Sequence, residues 1–172
     1  MNLVSTFKNS NNKKKISWKE LQLVHRNPKN TIFYRSDMCI KKYKLFKLIL
    51  RDILKTSNSE YINNTIIKNN ISKKFILTKN SFPYFLENNI IHLLIWINPE
   101  IIENKDFYMN NENLNNFPEF ERIILEIVQE EFKRDFINKK IKIIDNLIYF
   151  ENKIENRSIN DIKHIHVFLN LN

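Results

Sequence analysis

The chain contains no glycine and no alanine. A P-loop, a dinucleotide-binding GxGxxG turn and a GxSxG nucleophile elbow need glycine where the backbone turns tightly or approaches a phosphate. The enzyme classes built on these motifs are therefore excluded. Asparagine, which tolerates left-handed backbone conformations better than most residues, is expected to supply the turns. The abundance of Asn, Ile and Lys indicates an AT-rich coding sequence, so composition alone is weak evidence of function.

Cysteine and long hydrophobic runs are also scarce. The single Cys39 excludes an internal disulfide and a multi-cysteine zinc site, and it fits a reducing compartment. No apolar run approaches the roughly 18 residues of a membrane span, and the lysine-rich residues 1–15 lack the apolar core of a secretory signal. We expect a cytoplasmic protein without a membrane span. Residues 1–16 are predicted to form a disordered basic tail and residues 17–172 a single domain.

Positive charge is unevenly distributed along the chain, whose net charge is +9. Residues 1–79 hold 18 Lys and Arg against 4 Asp and Glu, whereas residues 80–172 hold 10 against 15. A basic half could bind nucleic acid or an acidic surface. Aromatic-rich RNP patterns and a GXXG loop are absent, however, and codon bias toward Lys explains the charge without a partner. A nucleic-acid partner is not predicted, although charge alone does not exclude one.

Periodicity and capping patterns predict the helices. Ser17 and Glu20 have the spacing of a capping box that opens a short helix. Ser36 opens a longer helix to about residue 55, and another short one covers residues 60–68. The clearest helix has Pro118 in its first turn and ends near residue 135. Strands are predicted over residues 75–78, 90–97, 143–151 and 163–169. We therefore expect an α+β domain, a roughly four-stranded and mostly antiparallel sheet packed by three to four helices.

Two of the predicted strands carry three of the four histidines. His164 and His166 alternate with Ile165 and Val167, so the two imidazoles share one face of a strand. His92 lies near the start of another strand. Neutral imidazoles bind divalent metals well, and one that titrates near neutrality can act as a general acid or base. All three are candidate catalytic residues and candidate ligands of a divalent metal; the cofactor is otherwise unknown.

Ordered blocks along the chain resemble a known family. They are residues 18–21 (WKEL), 34–36 (YRS) with Tyr43, 80–84 (NSFPY), 92–96 (HLLIW), 149–152 (YFEN) with 158–159 (SI), and 164–167 (HIHV). In their order and spacing they resemble the N-acetylglucosamine-induced protein family, which is centred on a domain of unknown function. The resemblance covers about residues 17–169. It implies a small cytoplasmic α+β protein with no established reaction, linked to N-acetylglucosamine through induction. Ser81 stands where the family has Asp, and Phe85 where it has Gly.

The matching blocks imply a site beside the histidines. Arg35, Tyr84, Asn152 and Ser158 are its candidate ligand-binding residues. The Arg35 guanidinium suits a phosphate or carboxylate through bidentate pairing. We therefore predict a small-molecule pocket for a phosphorylated or sugar-like ligand. Any reaction there would be a hydrolysis or a transfer, and whether the protein is an enzyme stays open.

Two other interpretations remain open. The chain could be a non-catalytic module that binds a protein or an acidic surface through its basic half. Alternatively, the histidines could bond backbone groups inside the fold while Trp18 and Trp96 fill the core. The distances among the imidazoles separate these cases. Rings more than about 10 Å apart could not share a ligand, because metal–nitrogen distances are about 2 Å.

Overall fold

The computed structural model describes residues 14–26, 33–102, 118–139, 142–152, 157, 159 and 161–172. Its α-helices are α1 Trp18–Arg26, α2 Asp37–Leu48, α3 Asn58–Ile62 and α4 Pro118–Lys139. Its strands are β1 Phe75–Lys79, β2 Ile90–Ile97, β3 Leu147–Phe150 and β4 His164–Asn170. Helix α2 continues into a π-helical turn, Ile49–Ile53, and α3 into another, Asn63–Ile67. The 3-10 turns Lys68–Asn70 and Ile144–Asn146 complete the described elements.

The four strands form one sheet in the order β1-β2-β4-β3, and every neighbouring pair is antiparallel. The predicted α+β fold is therefore confirmed, as is the predicted pairing of the last two strands. Strand β3 begins at Leu147 and not near residue 143, because residues 144–146 form a 3-10 turn. Helix α4 likewise continues past the predicted end near residue 135 to Lys139.

Helix α4 covers one face of the sheet. The alternation of β4 sends Ile165 and Val167 to this face, away from His164 and His166. The apolar positions of α4 recur every three or four residues, so they form a single stripe against the strands. Members of this core include Leu93, Ile95, Ile165, Val167, Phe120, Ile124, Val128 and Phe132.

The N-terminal segments pack near the opposite, histidine-bearing face. Helix α1 starts as predicted: the Ser17 backbone N–H donates to Glu20 Oε2 over 2.8 Å, and Ser17 Oγ accepts from the Glu20 N–H. Ser36 Oγ caps α2 by accepting from the Cys39 N–H. Ile16, placed at the end of the predicted tail, is buried and forms a bridge with Leu86. Residues 1–13 of that tail lie outside the described residues.

The turns form without glycine and almost without left-handed backbone. Among the described residues, Lys55 alone has a positive φ, 51°. The expectation that asparagine supplies left-handed conformations is therefore wrong for this part of the chain. Asparagine acts through its side chain instead, since Asn80 Oδ1 accepts from the Phe82 N–H and Asn98 Oδ1 from the Glu100 N–H. None of the described helices has the length and apolar character needed to cross a bilayer.

Candidate functional site

A cavity of about 520 Å³ lies between the histidine-bearing face of the sheet and the segments that precede β1. Its volume falls in the range of small-molecule sites. The sheet contributes Lys79, Leu94, Trp96, His164 and His166. The remaining described lining residues are Phe33, Arg35, Tyr43, Phe46, Asn58, Tyr61, Ile62, Thr65, Ile66, Asn80, Ser81, Phe82, Tyr84, Asn152 and Ile159. None of them is acidic, so the charged groups at its wall are cationic.

The three histidines lie close together. The ring centroids of His92 and His166 are 5.1 Å apart, and those of His164 and His166 are 5.5 Å apart. Register explains this closeness, because His166 pairs with Leu94 in the neighbouring strand and His92 is two residues further along the same face. His164 and His166 line the cavity, whereas His92 is buried behind it.

Backbone geometry fixes the proton positions on His92. The Tyr84 backbone N–H donates to His92 Nδ1 over 3.2 Å, so Nδ1 carries the lone pair. In a neutral imidazole the other nitrogen must then carry the proton. His92 Nε2 lies 2.8 Å from His166 Nδ1 and donates to it. The Asn80 amide nitrogen approaches both nitrogens of His92, at 3.2 and 3.4 Å, and therefore does not distinguish the two tautomers.

The same reasoning extends to His166 and Asn152. His166 Nδ1 accepts from His92, so a neutral His166 carries its proton on Nε2. That nitrogen lies 2.9 Å from the side-chain amide group of Asn152, and the same amide atom lies 3.0 Å from Tyr84 Oη. An asparagine amide can present either its oxygen or its nitrogen at one position, so the hydrogen-bond partners decide which atom lies there. Because His166 Nε2–H needs an acceptor, we assign the Asn152 oxygen to this position, where it can also accept from the Tyr84 hydroxyl.

Burial keeps the imidazoles of His92 and His166 neutral. Desolvation, followed by the positive charge of Arg35, lowers the pKa of His92 from its ordinary 6.5 to about 3. Desolvation lowers the pKa of His166 well below 6.5 as well, with smaller effects from the neighbouring His92, His164 and Arg35. A charged imidazole here would lose its hydration without an acidic partner to compensate. His92 and His166 are therefore hydrogen-bonded structural groups at neutral pH.

His164 differs from the other two histidines. Its Nδ1 lies 3.1 Å from the Ile162 carbonyl oxygen, to which only a protonated nitrogen can donate. Nε2 therefore carries the lone pair, and no described residue bonds it. Burial lowers the pKa of His164, opposed in part by the bond to Ile162. His164 is thus the one imidazole of the three that lines the cavity and keeps an uncommitted proton acceptor.

The predicted metal site finds no support in this geometry. Shared ligation by three histidines needs three lone pairs that converge on one point. The Nδ1 lone pairs of His92 and His166 already accept hydrogen bonds, from Tyr84 and from His92 respectively. No three His, Cys, Asp or Glu side chains in the described part of the chain form a group that could hold a metal ion.

Arg35 is the fixed cation of the cavity. Its Nε donates to the Phe82 carbonyl oxygen over 2.8 Å, and its guanidinium carbon lies 5.1 Å from the Tyr43 ring centroid and 5.5 Å from that of Tyr84. Lys47 approaches the Tyr43 ring to 4.8 Å. No described carboxylate pairs with Arg35. The buried Tyr43 hydroxyl also has no hydrogen-bond partner among these residues. The wall therefore presents donors without matching acceptors.

The structure brings together most of the predicted site residues. Arg35, Tyr84, Asn152, His164 and His166 all line the cavity, while Ser158 lies outside the described residues. Sequence reasoning missed several other lining side chains. These lining residues are Tyr43, Phe46, Lys79, Asn80, Ser81 and Trp96. The matched family blocks could have indicated three of them, since Asn80 and Ser81 belong to one block and Trp96 ends another. Tyr43 and Phe46 could not be distinguished from ordinary core-facing residues of a helix.

A partly buried ion cluster fixes the chain between β3 and β4. Arg157 Nη2 lies 2.6 Å from Glu151 Oε1, and Lys163 Nζ lies 3.5 Å from Glu151 Oε2. Arg157 Nε also donates to the Asn152 carbonyl oxygen over 2.8 Å. Burial lowers the pKa of Lys163, and the adjacent Glu151 carboxylate opposes that effect. The cluster holds the backbone of Asn152 at the cavity wall.

Comparison with known proteins assigns the chain to a family. The family model described as Protein of unknown function (DUF3605) matches residues 9–170. The chain belongs to this family. A Candida albicans protein, N-acetylglucosamine-induced protein 1, is 23% identical over 182 residues, which cover 89% of this chain and 67% of the relative. This confirms the resemblance that the ordered blocks predicted.

A solved structure shares the fold. The crystal structure of HTC1 matches with a TM-score of 0.57 at 16% sequence identity, covering 90% of this chain and 84% of that chain. At this identity the match shows the fold alone. Any function must therefore be argued from the side chains of the cavity.

Proposed function

We propose that the protein binds a small anionic ligand, phosphorylated or sugar-like, in the cavity beside Arg35. The observation that carries this proposal is a guanidinium held in place by Phe82, Tyr43 and Tyr84 in a wall whose described residues include no acidic side chain. A planar guanidinium held in this way loses little conformational freedom when it pairs with phosphate or carboxylate oxygens. Lys79 at the same wall adds a second positive charge.

The neutral part of the wall suits a polar ring. Asn80, Ser81 and Asn152 offer hydrogen-bonding groups, and Tyr84 offers an aromatic ring. Sites of this kind combine aromatic surfaces with a few polar groups that orient the ligand. The relative from Candida albicans is named for induction by N-acetylglucosamine, which makes amino-sugar phosphates reasonable first probes.

His164 is the group we propose for any proton transfer. Its tautomer leaves Nε2 free to accept a proton from a bound hydroxyl, whereas His92 and His166 are fully engaged with each other and their neighbours. A general base must lie within hydrogen-bond reach of the proton that it removes. Catalysis, if the bound ligand reacts, would therefore use His164 as the proton acceptor.

Thermal denaturation with a panel of ligands tests the proposal. The panel is inorganic phosphate, glucose 6-phosphate, N-acetylglucosamine 6-phosphate and uncharged N-acetylglucosamine. A ligand present at 100 times its Kd stabilises a protein by about 2.7 kcal/mol. For a chain of this size that corresponds to a rise in Tm of roughly 5–10 °C. We expect a saturable rise with at least one phosphorylated sugar and a much smaller one with the uncharged sugar.

Two matched variants assign the effect to the cavity. Arg35→Gln should weaken binding of the phosphorylated ligand by about 10- to 100-fold, because charge-assisted hydrogen bonds are worth roughly 1.5–3 kcal/mol. Arg51→Gln removes a positive charge that is exposed and paired with Asp52, and it should leave the affinity unchanged. Equal affinities in Arg35→Gln and the wild type would reject the proposal.

The exposed face of α2 favours a second candidate function, binding to an acidic surface. None of the residues of α2 is buried, and Met38, Leu45 and Leu48 are exposed beside Lys41 and Lys44. Basic helices with exposed apolar side chains bind anionic surfaces. Sedimentation with vesicles that contain phosphatidylserine would test this. Binding should weaken with added salt and in a Lys41→Glu/Lys44→Glu variant; its absence at low salt would exclude an anionic lipid surface.

The expected location and the expected tail are further parts of the proposal. The free thiol of Cys39 and a metabolite-like ligand both suit the cytoplasm. A fluorescent fusion should therefore give diffuse cytoplasmic signal, and enrichment in a membrane-bound compartment would contradict it. Deleting residues 1–13 should leave the Tm unchanged if they form the predicted tail; a fall of several degrees would show that they stabilise the domain.

A further inference from the structure

The cavity wall changes character along strands β2 and β4. Beside His166 and Tyr84 it is polar and cationic, because Arg35 and Asn152 lie there. The part of the wall around Trp96 is apolar. Five of its lining side chains belong to one hydrophobic cluster: Leu94, Trp96, Ile62, Ile66 and Ile159. The two kinds of surface form two ends of one cavity.

Strand geometry separates these ends. Arg35 acts electrostatically on His92 and His166, and its guanidinium contacts the Tyr84 ring. Trp96 lies two residues beyond Leu94, the strand partner of His166, on the same face of β2, which corresponds to about 7 Å at roughly 3.3 Å per residue. A ligand that reaches both ends must therefore place its two chemically different groups at least about 7 Å apart.

Two polar side chains near the apolar end, Trp96 and Thr65, are already engaged within the protein, whereas His164 beside Trp96 keeps its Nε2 acceptor. Trp96 Nε1 donates to Thr78 Oγ1 over 2.9 Å, so the indole offers no free donor. Thr65 Oγ1 donates to the Tyr61 carbonyl oxygen of its own helix over 2.7 Å. A ligand hydroxyl placed against the isoleucines, away from the His164 ring, would therefore lose its water without gaining an equivalent partner from Trp96 or Thr65, which is unfavourable. A hydrocarbon group in the same place gains affinity from its burial.

We infer that the ligand is a small amphiphilic anion, with a phosphate or carboxylate at Arg35 and a hydrocarbon group of several carbons against Ile62, Ile66 and Ile159. This inference rests on the proposed function, since it requires Arg35 to bind the anionic end. It goes further by naming what the other end of the ligand is made of. A fully hydroxylated sugar phosphate satisfies the cationic end only.

Calorimetric titration with a homologous series tests the inference. The ligands are inorganic phosphate, methyl phosphate, propyl phosphate and hexyl phosphate, with glucose 6-phosphate as the hydroxylated comparison. Affinity should rise with chain length by up to roughly fourfold for each methylene that becomes buried. Hexyl phosphate should bind at least tenfold more tightly than glucose 6-phosphate.

Two isoleucine variants test whether the gain in affinity with chain length comes from the apolar end. Ile66→Ser places a hydroxyl in the wall and should remove at least half of the gain in log affinity between methyl and hexyl phosphate. Ile71→Ser makes the same substitution at a position that is 63% exposed and does not line the cavity, and it should leave the gain intact. Arg35→Gln should weaken all the phosphates by a similar factor.

The outcomes separate the inference from the proposed function. An affinity independent of chain length, or tighter binding of glucose 6-phosphate than of hexyl phosphate, would overturn the inference while Arg35-dependent binding still supports the proposed function. A chain-length gain that persists unchanged in Ile66→Ser would also overturn it. Absence of saturable, Arg35-dependent binding for every phosphate in the series would reject both.

Discussion

Lowering the pH from 7 to 5 should destabilise this protein, because His92 and His166 are buried as neutral imidazoles. In an unfolded chain a histidine takes up a proton with a pKa of about 6.5. In the folded protein the pKa of His92 is about 3, and that of His166 is well below its ordinary value. Between these limits the unfolded state binds protons that the folded state does not. The stabilisation is complete above pH 6.5 and is lost progressively as the pH falls.

The magnitude follows from the same linkage. Each such histidine lowers the free energy of unfolding by about 1.4 kcal/mol per pH unit below its unfolded pKa. His92 alone therefore accounts for roughly 2 kcal/mol between pH 6.5 and pH 5. His166 changes the stability in the same direction. The His92 contribution alone is a sizeable fraction of the roughly 5–15 kcal/mol that stabilises a typical domain.

Urea unfolding followed by circular dichroism at pH 7, 6 and 5 measures how the free energy of unfolding depends on pH. Carboxylates with ordinary pKa values near 4 contribute little in this range. A His92→Gln/His166→Gln variant keeps hydrogen-bonding side chains and cannot titrate at these two positions. Its unfolding free energy should therefore depend less on pH, whatever its absolute stability, and the remaining dependence should come from His164, whose pKa burial also lowers. A wild-type stability that is constant from pH 7 to pH 5 would refute the assignment of neutral, buried imidazoles. An equal slope in the variant would refute their role.

Two substitutions test the packing around the site. Glu151→Gln should destabilise the protein by about 3 kcal/mol in chemical denaturation, because it removes the carboxylate that pairs with both Arg157 and Lys163. Lys163→Met in the same chain should restore part of the loss, because it removes one of the two cations; no loss in Glu151→Gln would show that the ion pairs are dispensable. Ile124→Ala, at a fully buried position of α4, should cost about 2–5 kcal/mol, whereas the half-buried neighbour Ile123→Ala should cost clearly less. Equal losses would contradict the assigned core face of α4.

Local patterns were sufficient to predict the elements of the fold. The alternation of His164 and His166 with Ile165 and Val167 reports the two faces of a strand directly, because its period of two has no other common cause. Helix α4 was equally clear from its apolar spacing. Its end was missed because its charged last turns have no stop signal as strong as glycine, which this chain lacks.

The chemistry of the site was not predictable in the same way. His92 and His166 are 74 positions apart, and only strand register places their nitrogens 2.8 Å from each other. Their spacing fits a metal site as well as a hydrogen-bonded pair. The decisive observation is a single backbone donor, the Tyr84 N–H, which occupies a lone pair of His92. No property of the residue types indicates that contact.

How the cavity wall is assembled was also not predictable from the sequence. Arg35 precedes α2, Tyr84 follows β1 and Asn152 follows β3, so the wall forms only when these segments meet over the sheet. The matched family blocks identified these three residues without explaining why they belong together. The structure supplies the reason, since Tyr84 bonds Asn152 and contacts Arg35.

Nitrogen-15 NMR of the histidine rings, with signals assigned by single His→Gln variants, can test the tautomers and the ligand site together. At pH 7 we expect neutral His92 and His166 protonated on Nε2, and a neutral His164 protonated on Nδ1. On titration with hexyl phosphate or a sugar phosphate, the His164 Nε2 resonance should shift saturably in the wild type, with a much weaker response in Arg35→Gln. A charged His92 or His166 at pH 7, a His164 protonated on Nε2, or ring nitrogens that do not respond to any phosphate would contradict these expectations.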